Sequence, residues 1–187
     1  MTVTDPYENG ALDPEVHGRL VADLDRYARM AGVPVSAICS PLATSCGEDE
    51  CKWATGFHKL SGGGISGLAF VGEFEEGIEA RMMGLTGCLV RNFIDAKMMT
   101  VQDALAQKKA GNGPTARMLA VPNFYVSKEH GGGLASWQVG ELLSLLLSRL
   151  AEGVQTVVYV SNLDQMAVDY GSLFKQHIEN YFVTVSA

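Results

Sequence analysis

From residue 61 onward, short runs of buried-type residues alternate with stretches of helical periodicity, and this alternation limits the fold more than any other feature of the chain. Residues 67–72 read as a short apolar strand closed by glycine. Apolar residues at helical spacing follow over 77–90, then a strand over 93–99 and a short helix started by Thr100. Arg117 to Val121 forms a third strand, stopped by Pro122, and residues 136–152 form the longest helix, ended by Gly153. The run 154–160 is rich in β-branched residues, 164–180 is helical in two pieces broken at Gly171, and 181–185 is a fifth strand. Strands separated by helices predict a five-stranded parallel sheet with helices on both faces, a three-layer α/β domain. The apolar run Leu142–Leu150 suggests a helix buried on several sides. Gly84 and Gly87 weaken the helix over 77–90, by about 1 kcal/mol each relative to alanine.

The first sixty residues follow no such rhythm. Residues 1–13 are polar and carry turn signals, Asp5-Pro6 and Asn9-Gly10. Asp13 before Pro14 starts a helix that runs to Gly32, and 34–60 reads as a connector with a short helical piece over 50–57. The expected division is therefore a tail, helix and connector over 1–60 and a core over 61–187.

Charge narrows the function classes. Acids outnumber bases 21 to 14 in 187 residues, a net charge of −7. A binder of phosphate backbones normally carries the opposite surplus, so strong autonomous nucleic-acid binding is not expected. No apolar run reaches the ~18 residues of a membrane span, and the N-terminus has no basic-then-apolar leader. A cytoplasmic protein without membrane partners is the expectation, with its four cysteines as free thiols. Cys39, Cys46, Cys51 and His58 follow the spacing C-x6-C-x4-C-x6-H. Zinc sites usually take paired C-x2-4-C ligands, so these are weak metal candidates beside the plainer reading of unpaired thiols.

In a three-layer α/β domain the turn after the first strand is the usual phosphate site. Here it reads Gly72-Glu-Phe-Glu-Glu-Gly77-Ile78-Glu79. The glycines keep the frame of G-x4-G-K-[ST], while Ile78 takes the lysine position and Glu79 the Ser/Thr position. Glu73, Glu75, Glu76 and Glu79 crowd the same turn. One carboxylate ~4 Å from a phosphate charge costs about 4 kcal/mol at an effective dielectric of 20. ATP binding in the usual manner is disfavoured twice, and no cofactor is expected.

Other chemistry is thin. None of His17, His58, His130 and His177 has a partner histidine four residues away, and there is no G-x-S-x-G elbow. Asp164, Asp169 and Glu179 read as caps or solvated positions, with a cleft-facing role as the alternative. Lys108, Lys109 and Arg117 make a small basic patch. The adjacent pairs Met82-Met83 and Met98-Met99 are candidates for a partner surface.

Several segments, in order, resemble the DnaC/IstB-like helicase-loader ATPases, a branch of the AAA+ proteins, over roughly residues 27–185. Arg29–Pro34 resembles the segment before their ATPase core, and Ile65–Gly72 the strand that enters their P-loop. Met99–Leu105 is similar to the segment after their second strand. Met118–Phe124 sits where they carry the Walker B strand, with Pro122 and Asn123 at the acidic positions. Leu145–Arg149 and Gly153–Asn162 resemble the helix and strand ending in sensor 1, which makes Asn162 the sensor-like residue. Tyr170–Ile178 resembles the segment that ends in the arginine finger, with His177 in that position. The resemblance implies a P-loop/AAA+-type domain, preceded here by an N-terminal helical extension, and with the sequence ending after the fifth strand no lid domain is expected. Because the departures fall on the chemistry, it implies a catalytically inactive protein. Such a protein would bind a replicative helicase, another AAA+ protein or its own copies, as a scaffold, regulator or inhibitor, including as a phage or mobile-element factor. The alternatives are a pocket rebuilt for a non-nucleotide ligand or cation, and a RecA-like pseudo-ATPase subunit of a hetero-oligomer.

Overall fold

The structure, a computed structural model, describes residues 5–73, 77–111, 113–127 and 133–187. Five strands carry the expected alternation: β1 (Gly67–Val71), β2 (Ala96–Met98), β3 (Met118–Tyr125), β4 (Gln155–Val160) and β5 (Phe182–Ser186). All pair in parallel, in the order β2-β3-β4-β1-β5. β1 is therefore central, and β4 lies between it and β3. The sheet is sandwiched between helices, so the three-layer α/β architecture is the one expected.

Alternation along each strand divides the interior in two. Leu68 and Phe70 of β1 face one side, with Tyr159 of β4 and Val185 of β5. Ala69, Leu119, Val158 and Val160 face the other. The second side is covered by α7 (Val101–Lys109), α8 (Ser136–Ala151), α9 (Leu163–Tyr170) and α10 (Ser172–Tyr181). α8 differs from the expectation of all-round burial. Leu142, Leu145 and Leu146 pack inward while Leu147 is half exposed, so its apolar run includes residues that face water.

The first side holds the larger departure. One helix was expected before residue 34, but Asp23 breaks it into α1 (Pro14–Ala22) and α2 (Leu24–Ala31). The Asp13 carboxylate caps α1, accepting from the Glu15 amide at 2.7 Å. The expected connector folds into α3 (Val35–Cys39), a 3-10 turn over Leu42–Thr44, α4 (Glu48–Thr55) and α5 (Phe57–Gly62). Ile38, Trp53 and Phe57 from these pieces share a core with Leu68 and Phe70. Residue 60, where the division is expected, falls inside α5. With α6 (Ile78–Arg91), the N-terminal segments form a full layer of the domain.

The glycines of α6 explain how that layer closes. A Cβ on Gly87 would stand 2.2 Å from the Ala37 carbonyl oxygen, and one on Gly84 2.2 Å from Ser45 Oγ. Their helix-weakening effect is the condition for α3 and the 3-10 turn to approach α6. β3 also differs from the expectation, for it does not stop at Pro122. Its register with β4 shifts between Val121 and Tyr125, and Pro122 sits in that irregularity, where no ladder donor is required. No described helix is long and apolar enough to cross a membrane.

Candidate functional site

In an open parallel sheet, ligands bind beyond the carboxyl ends of the strands, where the chain leaves a central strand for a distant one. That point here is the end of β1. Val71 is level with Val160 of β4 and Ser186 of β5. The edge continues past the strand: the Gly72 amide donates to the Val160 carbonyl at 3.2 Å, the Ala187 amide to the Val71 carbonyl at 3.1 Å, and the Tyr159 hydroxyl to the Gly72 carbonyl at 3.2 Å. Burial, with the Glu73 charge nearby, holds the Tyr159 phenol above its ordinary range.

Both frame glycines adopt backbone angles that L side chains rarely take, with φ at 146° for Gly72 and 122° for Gly77. The two frame glycines thus stand just after β1 and just before α6 in conformations that suit glycine. Its contents differ from a phosphate loop. Ile78 opens α6 and is only 2 % exposed, packed into the core shared with Phe70 and Leu85. The lysine position is thereby turned into the apolar interior. Glu79 and Glu73 are exposed at the mouth. Glu75 and Glu76 lie outside the described residues.

A cation does stand one turn into α6, and it is engaged elsewhere. Arg81 donates from Nε and Nη2 to Glu50 Oε1, the Nε contact at 2.8 Å, and from Nη2 to the Ser186 carbonyl at 3.0 Å. Its guanidinium carbon lies 4.7 Å from the centre of the Phe70 ring. Glu50, on α4, is 2 % exposed. One arginine thus ties α4, α6 and the end of β5 together. Neither its spacing nor its residue type signalled this, because the partners are separated by 31 and 105 residues.

The remaining candidates are spread around this edge. Pro122 and Asn123 lie in the β3 irregularity, and Tyr125, not these two, is level with Val160. The Asn123 side chain serves α7: its Oδ1 accepts from the Val101 amide at 2.9 Å and its Nδ2 donates to Gln102 Oε1 at 2.9 Å. Asn162 is exposed at the end of β4 and caps α9, accepting from the Gln165 amide at 2.9 Å. Tyr125 donates from its hydroxyl to Asp169 Oδ2 at 2.8 Å and meets the Tyr170 ring edge-on at 5.1 Å. Burial and Asp169 drive the Tyr125 phenol far up, and burial with the same carboxylate pushes Tyr170 up to about 12. Asp169 thus anchors α9 onto β3 and is not simply a solvated position. Asp164 and Glu179 flank Lys175, at 2.6 and 3.6 Å.

His177, at the position where the resemblance expects the finger arginine to be replaced, lies in the interior. It is 5 % exposed, packed against Tyr181 and Phe182 with ring centres at 5.2 and 5.8 Å. A finger must reach a neighbouring molecule, and a buried imidazole cannot. Burial holds its pKa below the ordinary histidine value, and Nε2 finds no partner among the described residues. The cysteines are likewise dispersed. Cys39 is buried in α3, and Cys46 donates to the Arg81 carbonyl at 3.3 Å, its thiol pushed by burial up to about 11. Cys51, Cys88 and His58 line a separate cavity of about 660 Å³. Among the described residues, no three His, Cys, Asp or Glu side chains converge as metal ligands.

No protein-family model matches the chain, and no curated protein matches its sequence. Its fold does match a solved structure, the crystal structure of a DNA replication initiation factor, with a TM-score of 0.52 and 12 % identity. The match covers 75 % of this chain and 47 % of that one, so the chain spans about half the length of its structural neighbour. At that identity the likeness is one of fold. The chain shares with a DNA replication initiation factor a three-layer α/β fold, and beyond the carboxyl end of its central strand it carries a glycine frame with Ile78 and Glu79 where a phosphate loop has lysine and Ser/Thr.

Proposed function

We propose that this protein is a catalytically inactive, AAA+-like relative of the helicase loaders, which acts by binding another protein of the replication machinery. The observation that carries the reading is Ile78. The frame Gly72–Gly77 is kept, and the residue that would have to reach a phosphate is an aliphatic side chain buried in the core. Arg81, the nearby cation on α6, is bound to Glu50 and Ser186 and so withheld from the turn. Exposed Glu73 and Glu79 oppose a polyphosphate further. Asn123 is committed to α7 and His177 is buried, so neither presents a side chain to magnesium or to a neighbour's nucleotide. The likeness in fold to a replication initiation factor supports replication as the setting. Without a nucleotide to gate it, contact with the partner is constitutive, and the partner is a replicative helicase or a related ATPase.

Titration of the purified protein with ATP and magnesium tests the first half. The expected result is no saturable binding and no phosphate release above the blank. Micromolar ATP affinity with magnesium-dependent hydrolysis would overturn the proposal. The second half is tested by mixing the protein with the purified replicative helicase of its native host. A complex that forms equally well with and without ATP is expected, and no complex under either condition counts against it.

A further inference from the structure

At the end of the sheet opposite the glycine turn, a cavity of about 910 Å³ opens between α2, the α6–β2 turn and the segment entering β3. Phe93 stands at its edge in an unusual setting. The Phe93 amide donates to the Val90 carbonyl at 3.0 Å and the Ile94 amide to the Leu89 carbonyl at 2.9 Å, the closure of α6 that ordinarily places glycine or asparagine at this point. Phe93 holds φ at 58° there, the one non-glycine residue with positive φ among those described. The residue is 61 % exposed, and its ring stacks on His17 at 5.8 Å and 12°. Met30, 60 % exposed, and Tyr27 line the same cavity. An aromatic residue held where the backbone favours glycine, with more than half of its surface open to water, is a backbone outlier, and outliers of this kind cluster at ligand sites.

Charge then specifies what the ring would meet. Asp95 and Lys97 line the cavity two residues apart, and among the described residues neither has an ion-pair partner. The buried Arg149 guanidinium feels Asp95, but its hydrogen bonds go to the Thr156 hydroxyl and to the carbonyls of Pro114, Ala116 and Gln155, and Glu152 balances it. The cavity thus offers an apolar, ring-bearing wall with one carboxylate and one ammonium. Its volume falls within the ~300–1,000 Å³ usual for small ligands. We propose that it binds a small aromatic zwitterion of the amino-acid type, with the ring against Phe93 and Met30, the ammonium at Asp95 and the carboxylate at Lys97. A nucleotide fits less well, because its phosphate would meet a single lysine with a carboxylate beside it.

Calorimetric titration of the full chain with L-tryptophan, indole, glycine and AMP tests this. Saturable tryptophan binding is expected, at least about tenfold tighter than indole, glycine or AMP. Phe93→Gly should weaken it by at least about tenfold while raising Tm, since glycine relieves the backbone. Lys97→Gln should weaken it similarly with Tm unchanged. No saturable tryptophan binding up to about 10 mM would overturn the proposal, as would tighter binding of AMP. So would a Phe93→Gly variant that binds like the parent, or one whose Tm falls.

Discussion

The Glu50–Arg81 pair shows what a single residue can decide where α4, α6 and β5 meet. Glu50 is almost wholly buried, and its carboxylate takes both Nε and Nη2 of the arginine. Removing one member of a buried pair typically costs about 3–5 kcal/mol, because the other charge stays in the interior unpaired. Arg81→Met should therefore lower stability by about that amount in urea unfolding. The double variant Glu50→Gln with Arg81→Met should recover a large part of it. His177 sets a second expectation, in pH. Its folded pKa lies below the unfolded value of 6.5, so the unfolded chain takes up a proton first as pH falls. The contribution of neutral His177 is complete above about pH 6.5 and is lost as pH drops from there towards the folded pKa. Thermal unfolding followed from pH 8 to 5, on the order of the range where histidine titrates, should show Tm falling on the acid side. His177→Phe should flatten that slope.

Among the elements, legibility in the sequence followed the source of their stability. β1 and β4 could be read directly because buried, apolar runs bounded by glycine suffice to mark them. α4 could be read only as a helical piece over 50–57, and α3, the 3-10 turn and α5 could not be read at all, since these three have only three to six residues each. Pieces so short are marginal as isolated helices and exist because Ile38, Trp53 and Phe57 pack on the sheet. Pro122 misled for the opposite reason: it ends a regular ladder but is accommodated by a register shift. At the candidate site the glycine frame was visible as spacing, while the inward turn of Ile78 and the Arg81 anchor depend on distant contacts. Gly87 gives the element-scale test. Alanine would favour α6 by about 1 kcal/mol, yet its Cβ would meet the Ala37 carbonyl oxygen at 2.2 Å. Backbone cannot yield as a side-chain tip can, so Gly87→Ala should destabilise by about 1–3 kcal/mol in urea unfolding, as overpacking does.

For the molecule as a whole, the packing of the first sixty residues determines how it unfolds. They contribute Leu20, Ile38, Trp53 and Phe57 to the same core that receives Leu68 and Phe70 of the central strand. A layer that covers one face of the sheet cannot leave without exposing that face, so the N-terminal segments and the sheet should unfold together. Trp53 reports on this directly. It is buried and meets Phe57 edge-on at 5.6 Å, whereas Trp137, the other tryptophan, is exposed. In a Trp137→Phe background, fluorescence therefore follows the N-terminal layer and far-UV circular dichroism follows the whole domain. Coincident transitions in urea are expected, as for a two-state domain of this size. Trp53→Ala, which empties a large site in the shared core, should shift the circular-dichroism transition of the entire chain by about 3–5 kcal/mol. A fluorescence transition well ahead of the circular-dichroism transition would instead make residues 1–60 an independent extension. The domain would then divide into two parts that unfold separately, rather than one in which the N-terminal layer is held by Glu50 and Arg81.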